Sequence, residues 1–148
     1  MQTVEYWGEG CKVETMITET PHKVSNKART VFTRGQCHAL ALMLHEETGF
    51  PLCGLYSTSA YDPIDDCYYG TPKHIVIELP NGDLFDINGP GAGLRGENYG
   101  YPYRKRHTRE EVLDFENRDY MPPNMEAARP FAKLLLQKYG IKKFTPEV

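Results

Sequence analysis

Between Gly35 and Gly49 the chain runs Gln-Cys-His-Ala-Leu-Ala-Leu-Met-Leu-His-Glu-Glu-Thr, a stretch whose part from Cys37 to Thr48 is apolar on almost every side. Alanine, leucine and methionine favour helix, and a helix with so little polar surface has to be surrounded by protein. Any fold open to this chain is therefore built around that helix, with other elements covering it. Gly35 permits the turn leading in, and Gly49 ends the run. The helix starts with a thiol. Unpaired backbone N–H groups and the positive end of the helix dipole favour a thiolate there. The element that constrains the fold thus also places a candidate nucleophile, Cys37, and the question is whether the rest of the chain supplies a base.

The 148 residues suffice for one core, and residues 1–148 read as a single domain. A net charge of −3 argues against general nucleic-acid binding. The apolar run stops well short of the roughly 20 residues that cross a membrane, so no membrane partner is expected. Met1 to Glu5 has no basic segment leading into an apolar one, as a secretory signal would. Cys11, Cys37, Cys53 and Cys67 are accordingly expected to be reduced thiols of a cytoplasmic protein. Internal repeats and low-complexity tails are absent from the sequence.

Lys12 to Thr18 has strand character, while Pro21 and Asn26 punctuate the stretch after it. Lys27 to Phe32 fits either a short helix or an extended lead into the cysteine turn. Pro51 to Ser57 reads as a short strand, followed by a loop from Thr58 to Thr71 rich in Tyr, Asp, Gly and Pro.

The clearest hairpin is His74-Ile-Val-Ile-Glu-Leu79, Pro80-Asn81-Gly82, Asp83-Leu-Phe-Asp-Ile-Asn88. Pro80 and Asn81 suit the centre of a type I turn, and Gly82 the left-handed position that closes a three-residue loop. Leu79 then faces Asp83, Val76 faces Asp86 and His74 faces Asn88. One side collects Ile75, Ile77, Leu79, Phe85 and Ile87. The other carries His74, Val76, Glu78, Leu84, Asp86 and Asn88. A two-residue loop would set the isoleucines against Asp86 and Asn88, so the bulged register is preferred. It makes His74 and Asp86 diagonal neighbours on one face, within reach of each other.

Residues 89–107 read as a loop. Thr108 and Glu111 form a capping-box pattern opening a helix to about Asn117. Asn124 can cap a last helix from Met125 to Tyr139, stopped at Gly140, with Pro130 expected to kink or split it.

Cys37, His74 and Asp86 are then a nucleophile, a base and a group to orient it, the set that thiol catalysis needs. Singly, each has a plain structural explanation: a small buried hydrophobe, a strand-end polar residue, a solvated acid near a turn. Together, and with the bulged hairpin register, they favour the catalytic reading. Gln36, His38, Tyr56, Asn88 and Gly89 are the candidate substrate-binding residues around them. The glycine-rich segment from Gly89 would wall the cleft on one side and the tyrosine-rich loop on the other.

Gly35-Gln-Cys-His-Ala-Leu-Ala41, Lys73-His-Ile-Val-Ile-Glu78 and Gly82-Asp-Leu-Phe-Asp-Ile-Asn-Gly89 resemble the papain-like superfamily in its compact bacterial and viral forms, which include transglutaminase-like and small cysteine-peptidase domains. The resemblance covers roughly residues 33–90. It implies an α+β fold with a papain-like core, the cysteine helix packed on an antiparallel sheet and two C-terminal helices closing the other side. It implies Cys37 as nucleophile, His74 as general base and acid, and Asp86 as orienter. Peptidases, amidases, deamidases, acyl transferases and inactive relatives share these motifs. Papain carries an oxyanion glutamine several residues before its cysteine, whereas Gln36 is the immediate neighbour here. The Cys37 backbone N–H is therefore the first oxyanion donor, and the second is unassigned.

Rival chemistries are weaker. His38 and His45 lie about 10 Å apart along a helix, too far to share a zinc ion. No Cys-x-x-Cys or His-Glu-x-x-His pattern occurs, and neither metal nor cofactor is expected. His45, about 12 Å from Cys37, is a poor alternative base. The run Arg104 to Arg109, preceded by Tyr99, Tyr101 and Tyr103, could stack and neutralise single-stranded nucleic acid, but reads more simply as a solvated loop entering a helix. The function expected is a cysteine hydrolase or acyl transferase acting on a protein, peptide or small amide through an acyl-enzyme. The alternative is a catalytically silent binding module on the same fold, using the tyrosine and basic loops.

Overall fold

The computed structural model describes residues 2–7, 12–17, 24–91, 101–117 and 120–143. Cys11, Thr18, Pro21, Tyr99 and the glycine-rich segment beyond Gly91 lie outside these. A hairpin of β1 (Gln2–Trp7) and β2 (Lys12–Ile17) precedes a short helix α1 (Asn26–Val31), capped by the Ser25 hydroxyl accepting from the Ala28 N–H. The chain then turns into α2 (Cys37–Thr48), the helix that the apolar run predicts. Every α2 side chain from Cys37 to Leu44 is buried. Gly49, at φ 79°, ends it in the left-handed conformation and donates its N–H to the His45 carbonyl.

The tyrosine-rich stretch is more ordered than a loop. After β3 (Leu52–Tyr56) it makes a small pair, β4 (Tyr61–Asp62) with β5 (Cys67–Tyr68). Next come β6 (His74–Glu78), β7 (Leu84–Asp86), β8 (Gly89–Pro90) and β9 (Tyr103–His107). Five of these strands form one antiparallel sheet in the order β8-β7-β6-β3-β9. The β6–β7 register is the one the turn residues dictate. Ile77 pairs with Phe85 and Glu78 with Leu84, the Leu79 N–H donates to the Asp83 carbonyl, and Gly82 sits at φ 91°.

That register sends Ile75, Ile77, Phe85 and Ile87 into the main core with α2, and each is at most 1% exposed. Burying one such side chain stabilises the fold by about 1.5–3 kcal/mol, so a slip of one residue would be ruinous. The opposite face is not simply solvated: Val76 and Leu84 join Cys53 and Leu55 in a second, smaller cluster with Tyr101 beside it.

Two expectations need correction. Residues 89–107 are not all loop, because Gly89–Pro90 and Tyr103–His107 are strands. The second is the sheet's edge, and its exposed Arg104, Lys105 and Arg106 are what an edge strand carries to discourage further pairing. Charge that looks like loop composition is there an edge device. The last helix, running Met125–Lys138 with Pro130 inside, is one element and is not split. Numbered in chain order, α3 (Arg109–Asp114) opens on the full Thr108–Glu111 capping box and ends in a tight turn at 115–117, and Met125–Lys138 is α4, capped by Asn124. Helix α2 lies between the sheet and α4. Among the described residues no helix is long and apolar enough to cross a membrane.

Candidate active site

The turn into α2 is held by its glycine. Gly35 has φ 115°, and a β-carbon there would come within 2.9 Å of both Trp7 and Met121. The Trp7 N–H in turn donates to the Arg34 carbonyl, so the end of β1 packs over the turn. No side chain caps the start of α2, which leaves the first-turn amides, Cys37 N–H among them, for other acceptors.

His74 starts β6 and Asp86 ends β7. The His74 Nε2 donates to Asp86 Oδ2 at 3.0 Å, while Asp86 Oδ1 accepts the Asn88 N–H at 2.8 Å. A carboxylate only accepts, so Nε2 carries a proton and Nδ1 is the ring atom left for Cys37. Both partners are buried, His74 at 8% exposure and Asp86 at 6%. Burial pushes the Cys37 thiol up, but interaction with the imidazoles of His38 and His74 more than reverses this, and its pKa falls to about 6. Burial pushes His74 down, and hydrogen bonding to Asp86 and Cys37 outweighs it, raising His74 to about 10. Near neutral pH the pair therefore stands as thiolate and imidazolium, titrating as one coupled unit.

A cleft runs over this pair in two lobes. One, of about 450 Å³, has Gly35, Cys37, Pro72 and Tyr120 in its wall. The other, of about 740 Å³, is lined by His74, Asp86, Asn88, Tyr101, Arg29 and Arg34. Trp7, Thr33 and Lys73 line both, so the lobes adjoin across Cys37 and His74.

Of the candidate binding residues, Asn88 lies in this cleft and the others do not line it. Gln36 is 1% exposed, and its amide is spent on structure. Its Nε2 donates to the carbonyls of Glu5 and Pro122, and its Oε1 accepts the Asn124 N–H. Tyr56 is buried on β3, its hydroxyl 2.7 Å from His107 Nε2. Gly89 packs against Tyr139 so closely that a β-carbon would come within 2.6 Å of that ring. His38 is fully buried, with Nε2 donating to the Met121 carbonyl at 2.8 Å and Tyr120 edge-on to its ring. Its Nδ1 has no ordinary hydrogen bond among the described residues. Both rings lower the Cys37 thiol, but His38 is bonded to a neutral carbonyl and His74 to a carboxylate, which favours the cation at His74. His45 closes onto the Phe50 carbonyl, a helix-end role.

Sequence reasoning missed Trp7, Arg29, Arg34, Lys73 and Tyr101, which long-range packing delivers to the cleft and no local motif announces. The tyrosines of the loop mostly stack on one another, Tyr61 lying 4.7 Å from Tyr68 and 4.4 Å from Tyr103 between centroids. Among the described residues no group of three or more His, Cys, Asp or Glu side chains is placed to hold a metal. Comparison with family models, with curated proteins and with solved structures returned no match.

Proposed function

We propose that this chain is a cysteine hydrolase or acyl transferase of papain-like kind, acting on an amide or ester carbonyl. One observation carries the reading: Cys37, at the uncapped start of α2, shares a cleft with His74, whose ring is bonded to the buried Asp86 at 3.0 Å, an arrangement that lowers the thiol and raises the imidazole. A buried cysteine with only a packing role has no such partner. Cys53 is the example, since burial and then the Glu78 carboxylate push its thiol up to about 11.

In this mechanism the Cys37 thiolate attacks the carbonyl carbon. The C=O electron pair moves onto oxygen, where the Cys37 N–H at the uncapped start of α2 can receive it. Collapse of the tetrahedral intermediate breaks the bond to the leaving group, which takes the Nδ1 proton of His74. Asp86 keeps the ring's other nitrogen protonated and the ring in place. His74, now neutral, removes a proton from water or an amine, which attacks the thioester and frees the thiolate. Gln36 is committed to three hydrogen bonds elsewhere, so the second oxyanion donor is a group other than that amide.

The test is the pH dependence of alkylation by iodoacetamide, with each labelled cysteine located by peptide mass. Cys37 should gain reactivity as pH rises through about 6, because a depressed pKa means the thiolate is already present where an ordinary thiol, near 8.5, is still protonated. Cys53 should stay dull until far higher pH. A Cys37 profile centred near 8.5 would sink the proposal.

A further inference from the structure

The chain is acidic overall, at −3, yet the larger lobe of the cleft is basic. Arg29, Arg34 and Lys73 line it, and among the described residues Asp86 is its one carboxylate, already bonded to His74. Three basic residues outside the lobe have partners: Arg106 with Glu78 at 2.8 Å, Arg109 with Glu46 at 3.9 Å, and Lys105 over the Tyr68 ring. Among the described residues no carboxylate pairs with Arg29, Arg34 or Lys73. Like charges gathered round one cavity repel each other. An anion placed among them gains from all three, and guanidinium forks match carboxylate or phosphate oxygens in particular.

Resting on the cysteine-enzyme reading, we infer that the substrate carries an anionic group, a carboxylate or a phosphate, on the part that lies over His74, bound by Arg29, Arg34 and Lys73. Thr30, Thr33 and Asn88 in the same lobe add neutral hydrogen-bonding groups. Trp7 and Tyr101 give apolar walls along which the rest of the substrate can lie. The thiolate and imidazolium cancel, so the lobe's excess positive charge also steers anions toward the nucleophile and steers cations away.

A matched pair of alkylating probes reads this directly: bromoacetyl-glutamate α-amide and bromoacetyl-glutamine α-amide, identical in warhead and differing by one charge. At low salt the glutamate probe should label Cys37 about tenfold faster than the glutamine probe, the scale of one well-placed ion pair. The ratio should fall toward one in molar salt and in the Arg34→Gln/Lys73→Gln variant, and recover in Arg34→Lys/Lys73→Arg. Arg34 and Lys73 are the choice because both are exposed, whereas Arg29 also holds Asn26 on α1. Protection of Cys37 by glutarate or by inorganic phosphate tells which anion is preferred. A ratio near one in the unmodified protein, with neither anion protecting, would overturn the inference while leaving the enzyme reading intact. Should neither probe label Cys37 faster than the exposed Cys67, both readings fail together.

Discussion

Two places in this molecule set a histidine between a hydroxyl or thiol and a carboxylate. At one, His74 stands between Cys37 and Asp86. At the other, on the far side of β3, His107 Nε2 meets the Tyr56 hydroxyl at 2.7 Å while Nδ1 donates to Glu111 at 3.2 Å. The order of groups is the same and the electrostatics are opposite. His74 is raised, while His107 is lowered, by burial that Glu111 only partly offsets. The difference lies in the acid. Asp86 is buried, with side-chain exposure of 7%, whereas Glu111 is 49% exposed and solvent screens its charge. Glu111 also belongs to the capping box of α3, so its geometry serves the helix. A triad in outline is thus not a triad in chemistry unless the carboxylate is out of water and the nucleophile can lose its proton.

Removing the two rings in turn should separate the sites most sharply. His74→Ala takes away one of the two imidazoles that lower Cys37, so the thiol should rise from about 6 toward the free value near 8.5, and iodoacetamide labelling at pH 7 should drop by up to about 30-fold. His107→Ala should leave Cys37 labelling within about twofold and cost about 1–3 kcal/mol of stability by removing the 2.7 Å hydrogen bond to Tyr56, read by urea unfolding. Equal effects on labelling would dissolve the distinction.

Changing the acids should give a smaller contrast. In Asp86→Asn the amide cannot hold an imidazolium, so the upper limb of the Cys37–His74 profile should move down from about 10 toward the ordinary histidine range. The signs follow from protonation: a raised histidine keeps its proton until pH climbs through its own pKa, so losing the acid brings that loss to lower pH. Glu111→Gln retains a capping-box side chain and gives up only an exposed interaction, so it should change stability by about 0.5 kcal/mol or less and leave the profile unmoved. A narrowed profile from Glu111→Gln would contradict the comparison.

Cys37 and its counterpart Tyr56 separate labelling from stability. Cys37→Ala should abolish labelling at that position with at most about 1–2 kcal/mol lost, since one sulfur leaves a modest cavity. Tyr56→Phe should cost about 1 kcal/mol, one hydrogen bond, with labelling intact. Collapse of the fold in Cys37→Ala would mark the cysteine as a packing residue.

How far the sequence can be read depends on the range of the interactions concerned. Pro80-Asn81-Gly82 and the apolar alternation determine a register locally, so the approach of His74 to Asp86 is derivable from residue order alone. The Cys37 helix is equally plain, because its composition leaves one solution. What fails is assignment by adjacency. Gln36, next to the nucleophile, points its amide into a backbone clamp. Tyr56, first of a tyrosine-rich stretch, is absorbed by His107. Strand β9 is hidden because edge position, which its charges serve, is a property of the whole sheet. Trp7 and Arg29 reach the cleft only through the docking of β1 and α1, and nothing in their own neighbourhoods records that.

The Gln36 clamp has a consequence for the order of assembly. Its three hydrogen bonds join the residue before the nucleophile to positions 31, 86 and 88 residues away. On a growing chain the cysteine helix and the His74–Asp86 hairpin are both synthesised long before Pro122 and Asn124 emerge. Contacts of such sequence separation are the slow ones to form, because loop closure has to precede them. These separations predict that the thiol reaches its reactive geometry late in refolding, when the C-terminal segment closes over the core. Pulse alkylation during refolding would track this directly, Cys37 becoming fast only in the final phase. A sulfur that turns reactive only after the core has closed is less open to acylation or mixed-disulfide formation while the chain is still unfolded.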